Sequence, residues 1–189
     1  MGVRAEATAA TGERILDAAE AAFDDLPFGE ITLAVVAERA GVSVQTVIRR
    51  FGGRESLFQA ALQHTGAKMT ADRVVEPGTD PAEIVDVLVE HYERFADRLL
   101  RTLAQEESQP ALRILTDLGR EYHLGWCETT FAPALQSLRG ASRKRRAAQL
   151  AAITDIYIWK LLRRDRGLSV AETKVAILEL LEHLLAQSR

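Results

Sequence analysis

The sequence is poor in the features that mark several classes of protein. It has one cysteine, Cys127, among 189 residues, so an internal disulfide framework is impossible and a reducing compartment suits it. No stretch approaches the roughly 20 apolar residues of a membrane span. The N-terminal MGVRAEATAATGER also has no apolar run of the secretory kind. The sequence therefore predicts a soluble, cytoplasmic protein with no membrane partner.

Excess positive charge and strand-like patterns are missing too. With 24 Lys and Arg against 27 Asp and Glu, the net charge is -3, so any nucleic-acid contact needs a local basic patch. Apolar residues recur at helical spacing and do not alternate as in a half-buried strand. We therefore expect an all-α protein of about nine helices. The sequence has no phosphate-binding glycine loop, paired nucleophile and base, or metal-ligand spacing, so we predict no enzyme, metal or cofactor.

Glycine and proline residues divide the chain into three parts. Residues 1–10 are small and polar and are predicted to be a disordered arm. Residues 11–70 form a first domain, whose first helix we expect Thr11 to cap. The segment 76–81, EPGTDP, interrupts the helical pattern, as glycine and proline do. Residues 71–189 are therefore predicted to form a second helical domain.

Residues 32–51 of the first domain predict two short helices joined by a tight turn. Gly41 can adopt a positive φ at the end of the first helix, and Ser43 is suited to cap the second. Three arginines and no acidic residue lie between Gly41 and Arg54. This is the pattern of a DNA-binding helix-turn-helix. It also fits a compact helical corner with solvated charges, and the pattern alone does not separate the two.

If the second short helix enters a major groove, its residues have different roles. Gln45 is suited to adenine, because its amide can bond N6 and N7 together. Arg49 can bond guanine or, equally well, a phosphate, and Val44 can contact a thymine methyl or simply pack. The remaining candidates position the protein through phosphates: Thr32, Thr46, Arg50 and Arg54.

This region resembles the TetR family of transcriptional regulators over about residues 11–62. The resemblance is carried by Phe28 to Thr32, Val36-Ala37, Ala40 to Ser43, Thr46, Phe51, Arg54-Glu55 and Leu57-Phe58. It implies a homodimer with one helix-turn-helix, Thr32 to Phe51, per subunit and a helical effector-binding domain. It also implies DNA contacts at Thr32, Ser43, Val44, Gln45, Thr46, Ile48, Arg49, Arg50 and Arg54. Two positions depart from the family, which usually has tyrosine at Ile48 and histidine or tyrosine at Arg50.

The second domain contains aromatic side chains with a few polar groups among them. Such a set can line an apolar effector pocket, although an ordinary core explains each residue equally well. The candidate pocket residues are His91, Tyr92, Phe95, Tyr122, His123, Trp126, Cys127 and Phe131. The effector would be an unknown small molecule.

Two helices predicted over residues 142–166 and 169–187 have apolar residues on more than one face. A helix that buries two faces needs a second partner, which a two-fold copy would supply. The alternative is that both helices lie inside a monomer. The candidate dimer residues are Leu150, Ile153, Tyr157, Leu161, Ile177, Leu181 and Leu184.

Together these features predict a sequence-specific DNA-binding transcriptional regulator. We expect a ligand-responsive repressor that acts as a homodimer on a palindromic double-stranded operator. The alternative is a helical small-molecule or redox sensor whose DNA-binding site has lost its function. The departure at Ile48 is the only feature that favours this alternative.

Overall fold

The computed structural model describes residues 2–186, with side chains from residue 7 onwards. All regular structure in these residues is helical, which confirms the predicted class. None of the helices within them is long and apolar enough to cross a membrane. The helices are α1 (Gly2–Asp25), α2 (Leu33–Arg39), α3 (Val44–Phe51), α4 (Arg54–Ala71), α5 (Pro81–Gln105), α6 (Pro110–Thr130), α7 (Ala132–Leu135), α8 (Gly140–Ile153), α9 (Ile156–Lys160) and α10 (Val170–Ala186). The chain divides into two compact units between Ala71 and Asp72.

The first unit packs α1 against α2 and α4, and places α3 between α2 and α4. Its core includes Ile15, Ala19, Val36, Val47, Leu57 and Phe58, all at most 4 % exposed. Phe23, Phe28 and Phe58 form an aromatic group with ring centroids 5.1 to 5.7 Å apart. Burial of each large apolar side chain contributes about 1.5–3 kcal/mol. This core fixes the position of the short helix α3.

The start of α1 differs from the prediction. The helix begins at Gly2, so the disordered arm predicted for residues 1–10 is helical from there on; Met1 lies outside the described residues. Thr11 is not a cap but lies within α1, where its Oγ1 donates to the carbonyl of Ala7 (2.8 Å). The alanine-rich sequence before Thr11 explains the extension, because alanine is the best helix former.

The second unit contains α5 to α10, with α10 packed along α5 and against α8. Asp80 caps α5 at the predicted start, Pro81, by accepting from the backbone N–H of Ala82 (2.9 Å). The predicted capping box of α10 is confirmed, because Ser169 and Glu172 each accept from the other's backbone N–H. Residues 187–189 lie outside the described part of the chain.

The helix predicted over residues 142–166 is interrupted. It begins at Gly140 and ends at Ile153; α9 then begins after Asp155, whose carboxylate accepts from the N–H of Tyr157 (2.9 Å). Leu161–Asp165 continues α9 as a π-helical turn. The acidic side chain at Asp155 supplies an N-cap in the middle of the predicted helix, so the chain starts a new helix there.

Candidate nucleic-acid interface

The turn between α2 and α3 has the local geometry predicted for a helix-turn-helix. Gly41 has a φ of 64°, which a residue with a Cβ adopts only with strain. Thr32 caps α2 through Oγ1, which accepts from Val35 N–H (3.2 Å). Ser43 caps α3 in the same way, because its Oγ accepts from Thr46 N–H (3.2 Å). These caps and the turn set the direction in which α3 leaves α2.

One side of α3 faces the core and the other faces solvent. Val47 is fully buried and Phe51 is half-buried. On the outer side Gln45, Arg49 and Arg50 are exposed. Val44 and Ile48, one turn apart, are also 38 % and 37 % exposed. The outer surface of α3 therefore combines an amide, two guanidinium groups and two apolar side chains.

Arg50 lies against α1. A Cβ added to Gly12 would come within 2.6 Å of Arg50 Nη2, so the glycine leaves room for the guanidinium beside the helix. The sequence analysis did not find this contact, because the two residues are far apart in the chain. Arg50 remains exposed overall.

Arg54, predicted to contact a phosphate, has contacts within the first unit. Its Nε donates to the carbonyl of Ile31 and its Nη2 to the carbonyl of Phe28, both at 2.9 Å. Its guanidinium also lies 4.8 Å from the ring centroid of Phe28 and 4.7 Å from that of Phe58. Two donors of Arg54 and two ring contacts are thus used within the first unit, which gives this side chain a structural role. Arg54 is still exposed, so its phosphate contact stays a prediction.

A group of acidic residues and one histidine on α1 and α4 has metal-ligand chemistry. Asp17, Glu20 and His64 bring their ligand atoms within 4.8 Å of one another. Lys68 Nζ, however, lies 3.2 Å from a carboxylate oxygen of both Asp17 and Glu20. Burial opposes the charge of Lys68, but the hydrogen bonds to Glu20 and Asp17 outweigh it and raise its pKa. The ammonium group of Lys68 therefore occupies the position beside the two carboxylates that a metal cation would take.

Most of the predicted pocket residues come together in the second unit. His91, Tyr92, Trp126, Cys127 and Phe131 are buried, Phe95 and His123 are half-buried, and Tyr122 is 38 % exposed at the surface. Arg73, which no sequence motif singles out, is only 4 % exposed, and its Cζ lies 3.9 Å from the ring centroid of Trp126. We call Arg73, His91, Tyr92, His123 and Trp126 the Arg73 cluster.

Hydrogen bonds tie the Arg73 cluster to three helices. The Nε2 of His123 lies 3.0 Å from the carbonyl of Ala151, which can only accept, so Nε2 carries the proton. His123 Nδ1 is then the acceptor for Arg73 Nη2 (2.8 Å). The indole N–H of Trp126 donates to the backbone carbonyl of Arg73 (2.8 Å). The hydroxyl of Tyr92 donates to the backbone carbonyl of Thr154 (2.8 Å).

The histidine, tyrosine and cysteine side chains of this region are held in their neutral forms. Burial and the charge of Arg73 lower the pKa of His91 to about 4 and also lower the pKa of His123. Burial raises the pKa of the phenol of Tyr92 and of the thiol of Cys127. A buried thiol with a raised pKa is poorly reactive, which argues against the redox sensor considered above.

The predicted dimer residues fall into two groups. Leu150, Ile177, Leu181 and Leu184 are at most 7 % exposed and belong to the core of their own unit. They cannot also contact a partner, so this part of the predicted interface is revised. Ile153 is half-buried. The large apolar residues that α9, its π-helical turn and α10 expose are Tyr157 (55 %), Leu161 (43 %), Val175 (54 %) and Leu180 (49 %).

A shallow surface depression in the second unit lies apart from the predicted pocket. It has a volume of about 340 Å³ and is lined by Pro81, Glu182, Leu185 and Ala186. None of these lining residues is among those predicted for the effector pocket.

A model of one protein family matches most of the first unit. Residues 15–61 match the family described as bacterial regulatory proteins, tetR family. This match is to regulators, in agreement with the prediction that the chain is not an enzyme. No curated protein matches the sequence.

Solved structures share the fold over nearly the whole chain. A transcriptional regulator from Rhodococcus sp. Rha1 has a TM-score of 0.69 at 19 % identity, covering 93 % of this chain and 96 % of that one. A protein described as a TetR-family transcriptional regulator, from Rhodococcus sp., has a TM-score of 0.67 at 17 % identity, covering 93 % and 98 %. A transcriptional regulator from Streptomyces coelicolor A3(2) has a TM-score of 0.62 at 21 % identity, covering 90 % and 97 %.

Proposed function

We propose that the chain is a member of the tetR family of bacterial regulatory proteins, whose model matches residues 15–61, and that it represses transcription by binding a palindromic operator as a ligand-responsive homodimer. The observation that carries the DNA-binding part is the outer surface of α3. Gln45 and Arg49 are exposed there, while Val47 holds the helix to the core. A short helix with its polar side free is suited to the major groove.

Base recognition falls to the residues of this surface that have no structural task. Gln45 can bond adenine N6 and N7 together, and Arg49 can bond guanine O6 and N7. Val44 and Ile48 are exposed and one turn apart, so both can contact thymine methyl groups. Ile48 then contributes an apolar contact where the family usually has a tyrosine hydroxyl.

Phosphate contacts fall to the flanking residues. Thr32 at the start of α2 is exposed, and so is Arg50 at the end of α3. The Oγ atoms of Ser43 and Thr46 lie 2.9 Å apart, so these hydroxyls order each other at the N-terminus of α3. Backbone N–H groups at a helix N-terminus also attract phosphate. Such contacts fix the register of the protein on DNA but do not specify sequence.

Dimerisation is supported by apolar surface in the second unit. Tyr157 and Leu161 lie one turn apart and are exposed. Val175 and Leu180 on α10 are exposed as well. A two-fold copy would cover these side chains. Two recognition helices about 34 Å apart would then meet successive major grooves on one face of the duplex.

The regulatory part of the proposal is a population shift. An effector that binds the DNA-incompetent form of the dimer more tightly would release the operator. The partners of the protein are therefore operator DNA, a second copy of itself and a small molecule. A protein that acts on bacterial operators works in the cytoplasm, which its single, buried cysteine also suits.

Selection of bound duplexes from a random pool tests this function. We expect the selected sequences to share an inverted repeat, and sedimentation of the complex to give two chains per duplex. Affinity for the selected duplex should fall steeply with salt, as phosphate contacts require. Recovery of unrelated sequences, or one chain per duplex, would contradict the proposal.

A further inference from the structure

Arg73 is a buried cation without an anionic partner. It is 4 % exposed, and no carboxylate of the described residues pairs with it. Its Nη2 donates to the neutral His123, its side chain also hydrogen-bonds Tyr92, and its Nε has no hydrogen-bond partner in the described part of the chain. A buried guanidinium normally has a carboxylate beside it, because removing an unpaired charge from water is costly.

The surroundings of Arg73 offset this cost only in part. The rings of Trp126 and Tyr92 lie 3.9 and 5.8 Å from its Cζ. Cation-π attraction of this kind is weaker than the desolvation penalty of a buried ion. The hydrogen bond that Trp126 Nε1 donates to residue 73 goes to the backbone carbonyl. Any residue at this position could accept it, so it does not explain why the side chain is an arginine. The guanidinium therefore remains unexplained by packing.

His91 is a second buried polar group without a partner. Its Nδ1 makes no hydrogen bond within residues 2–186, and its ring contacts those of Tyr92 and Phe95 at 5.5 and 5.1 Å. Arg73 and His91 both contact the ring of Tyr92, whose centroid lies 5.8 Å from Arg73 Cζ and 5.5 Å from the centroid of His91. Two unsatisfied polar groups thus lie near each other among aromatic rings. This is the lining expected of a site for a small molecule with one polar end.

We propose that the Arg73 cluster binds an apolar small molecule through its carboxylate group. The planar guanidinium matches the two oxygens of a carboxylate and forms two parallel hydrogen bonds with it. His91 Nδ1 is the second polar group without a partner in the described residues, and Phe95, whose ring lies 5.1 Å from that of His91, offers apolar contact to the rest of the molecule. This inference rests on the proposed function, because it assigns the effector class of the regulator.

The place of Arg73 in the chain suggests how binding reaches the DNA-binding unit. Helix α4 ends at Ala71, and Arg73 follows two residues later. A ligand that draws the guanidinium toward itself therefore acts on the segment that continues from α4.

Titration of the full-length protein with octanoate and 3-phenylpropionate tests this site. Intrinsic fluorescence is a suitable measure, since Trp126 contacts Arg73 and Trp159 contacts Tyr92. The matched controls are the amides of the same two acids, which have the same apolar parts but no charge. We expect the acids to bind at least about tenfold more tightly than the amides, as charge-assisted hydrogen bonds require. Equal binding of acids and amides, or no binding by about 10 mM, would overturn the proposal.

Substitutions of arginine locate the site. Arg73→Met should weaken acid binding at least about tenfold and leave amide binding unchanged, whereas Arg145→Met, on the exposed side of α8, should change neither. Arg73→Lys should have an intermediate effect, because it keeps the charge but loses the planar group. Acid binding that is unchanged in Arg73→Met would refute the assignment. If Arg73→Met does not fold, the binding of acids by Arg73→Lys and the comparison of acids with amides will show whether Arg73 holds the carboxylate.

The same titrations carried out with operator DNA separate the two proposals. If acids bind through Arg73 but no DNA sequence is preferred, the site stands and the regulator function fails. If operator DNA is bound and no acid is, the effector assignment fails alone. If both stand, we expect the acids to lower operator affinity in the wild type and not in Arg73→Met.

Discussion

The outer surface of α3 and the Arg73 cluster use the same kinds of polar side chain in opposite environments. On α3, Gln45 and Arg49 are exposed and lie within one turn of each other. In the cluster, Arg73 is buried and its partner His123 lies 50 residues away in the chain. The first surface is complete in a single helix, whereas the second exists only once several helices have packed. The difference predicts that residues on the outer surface of α3 can be replaced without loss of stability and residues of the cluster cannot.

Arg54 is an exception to this comparison, because it belongs to the exposed basic stretch after α3 but also has structural contacts. Arg54→Ala removes two hydrogen bonds to carbonyls and two ring contacts. We expect the free energy of unfolding to fall by about 3 kcal/mol. Urea denaturation would measure it. Arg49→Ala is the matched control and should change stability by less than about 0.5 kcal/mol.

The opposite result for Arg54 has a clear meaning. If Arg54→Ala were as stable as the wild type and weakened binding to all DNA alike, the original phosphate assignment would be correct. Arg54 would then belong with the exposed arginines that contact DNA, and Arg73 would be the arginine with a structural environment.

The pH dependence of stability tests whether the Arg73 cluster is buried, as the comparison requires. The pKa of His91 is lowered to about 4 in the folded protein by burial and by Arg73, against 6.5 for the free side chain. Below pH 6.5 the unfolded chain therefore binds a proton that the folded chain does not, and stability falls until about pH 4. Between pH 7 and pH 5 this linkage amounts to about 2 kcal/mol.

Thermal unfolding across this pH range measures the effect. His91→Gln should lose most of the pH dependence, with a remainder from His123, whose pKa is also lowered. A wild-type midpoint that is the same at pH 5 and pH 7 would show that His91 is not buried as described.

The features that could be predicted from the sequence are those whose partners lie within about four residues. The caps at Thr32 and Ser43, the positive φ of Gly41 and the capping box at Ser169 all depend on local contacts, and all are present. The exposed side of α3 followed from the same short-range pattern.

The features that could not be predicted depend on distant residues. Arg54 bonds carbonyls 23 and 26 residues away, and the partner of Arg73 is 50 residues away. The spacing of apolar residues in α8 and α10 also does not show which of their two apolar faces packs in the core and which is left exposed at the surface. Leu181 is fully buried while its neighbour Leu180 is 49 % exposed.

The exposed amide of Gln45 gives the most direct test of the central claim, that the outer surface of α3 recognises bases. The measurement is the ratio of dissociation constants for a selected operator and a scrambled duplex, by fluorescence anisotropy at one salt concentration. Gln45→Ala should reduce this ratio about tenfold through weaker operator binding alone. Gln59→Ala, an exposed glutamine of α4, should leave it unchanged. A ratio that Gln45→Ala does not change would contradict the claim.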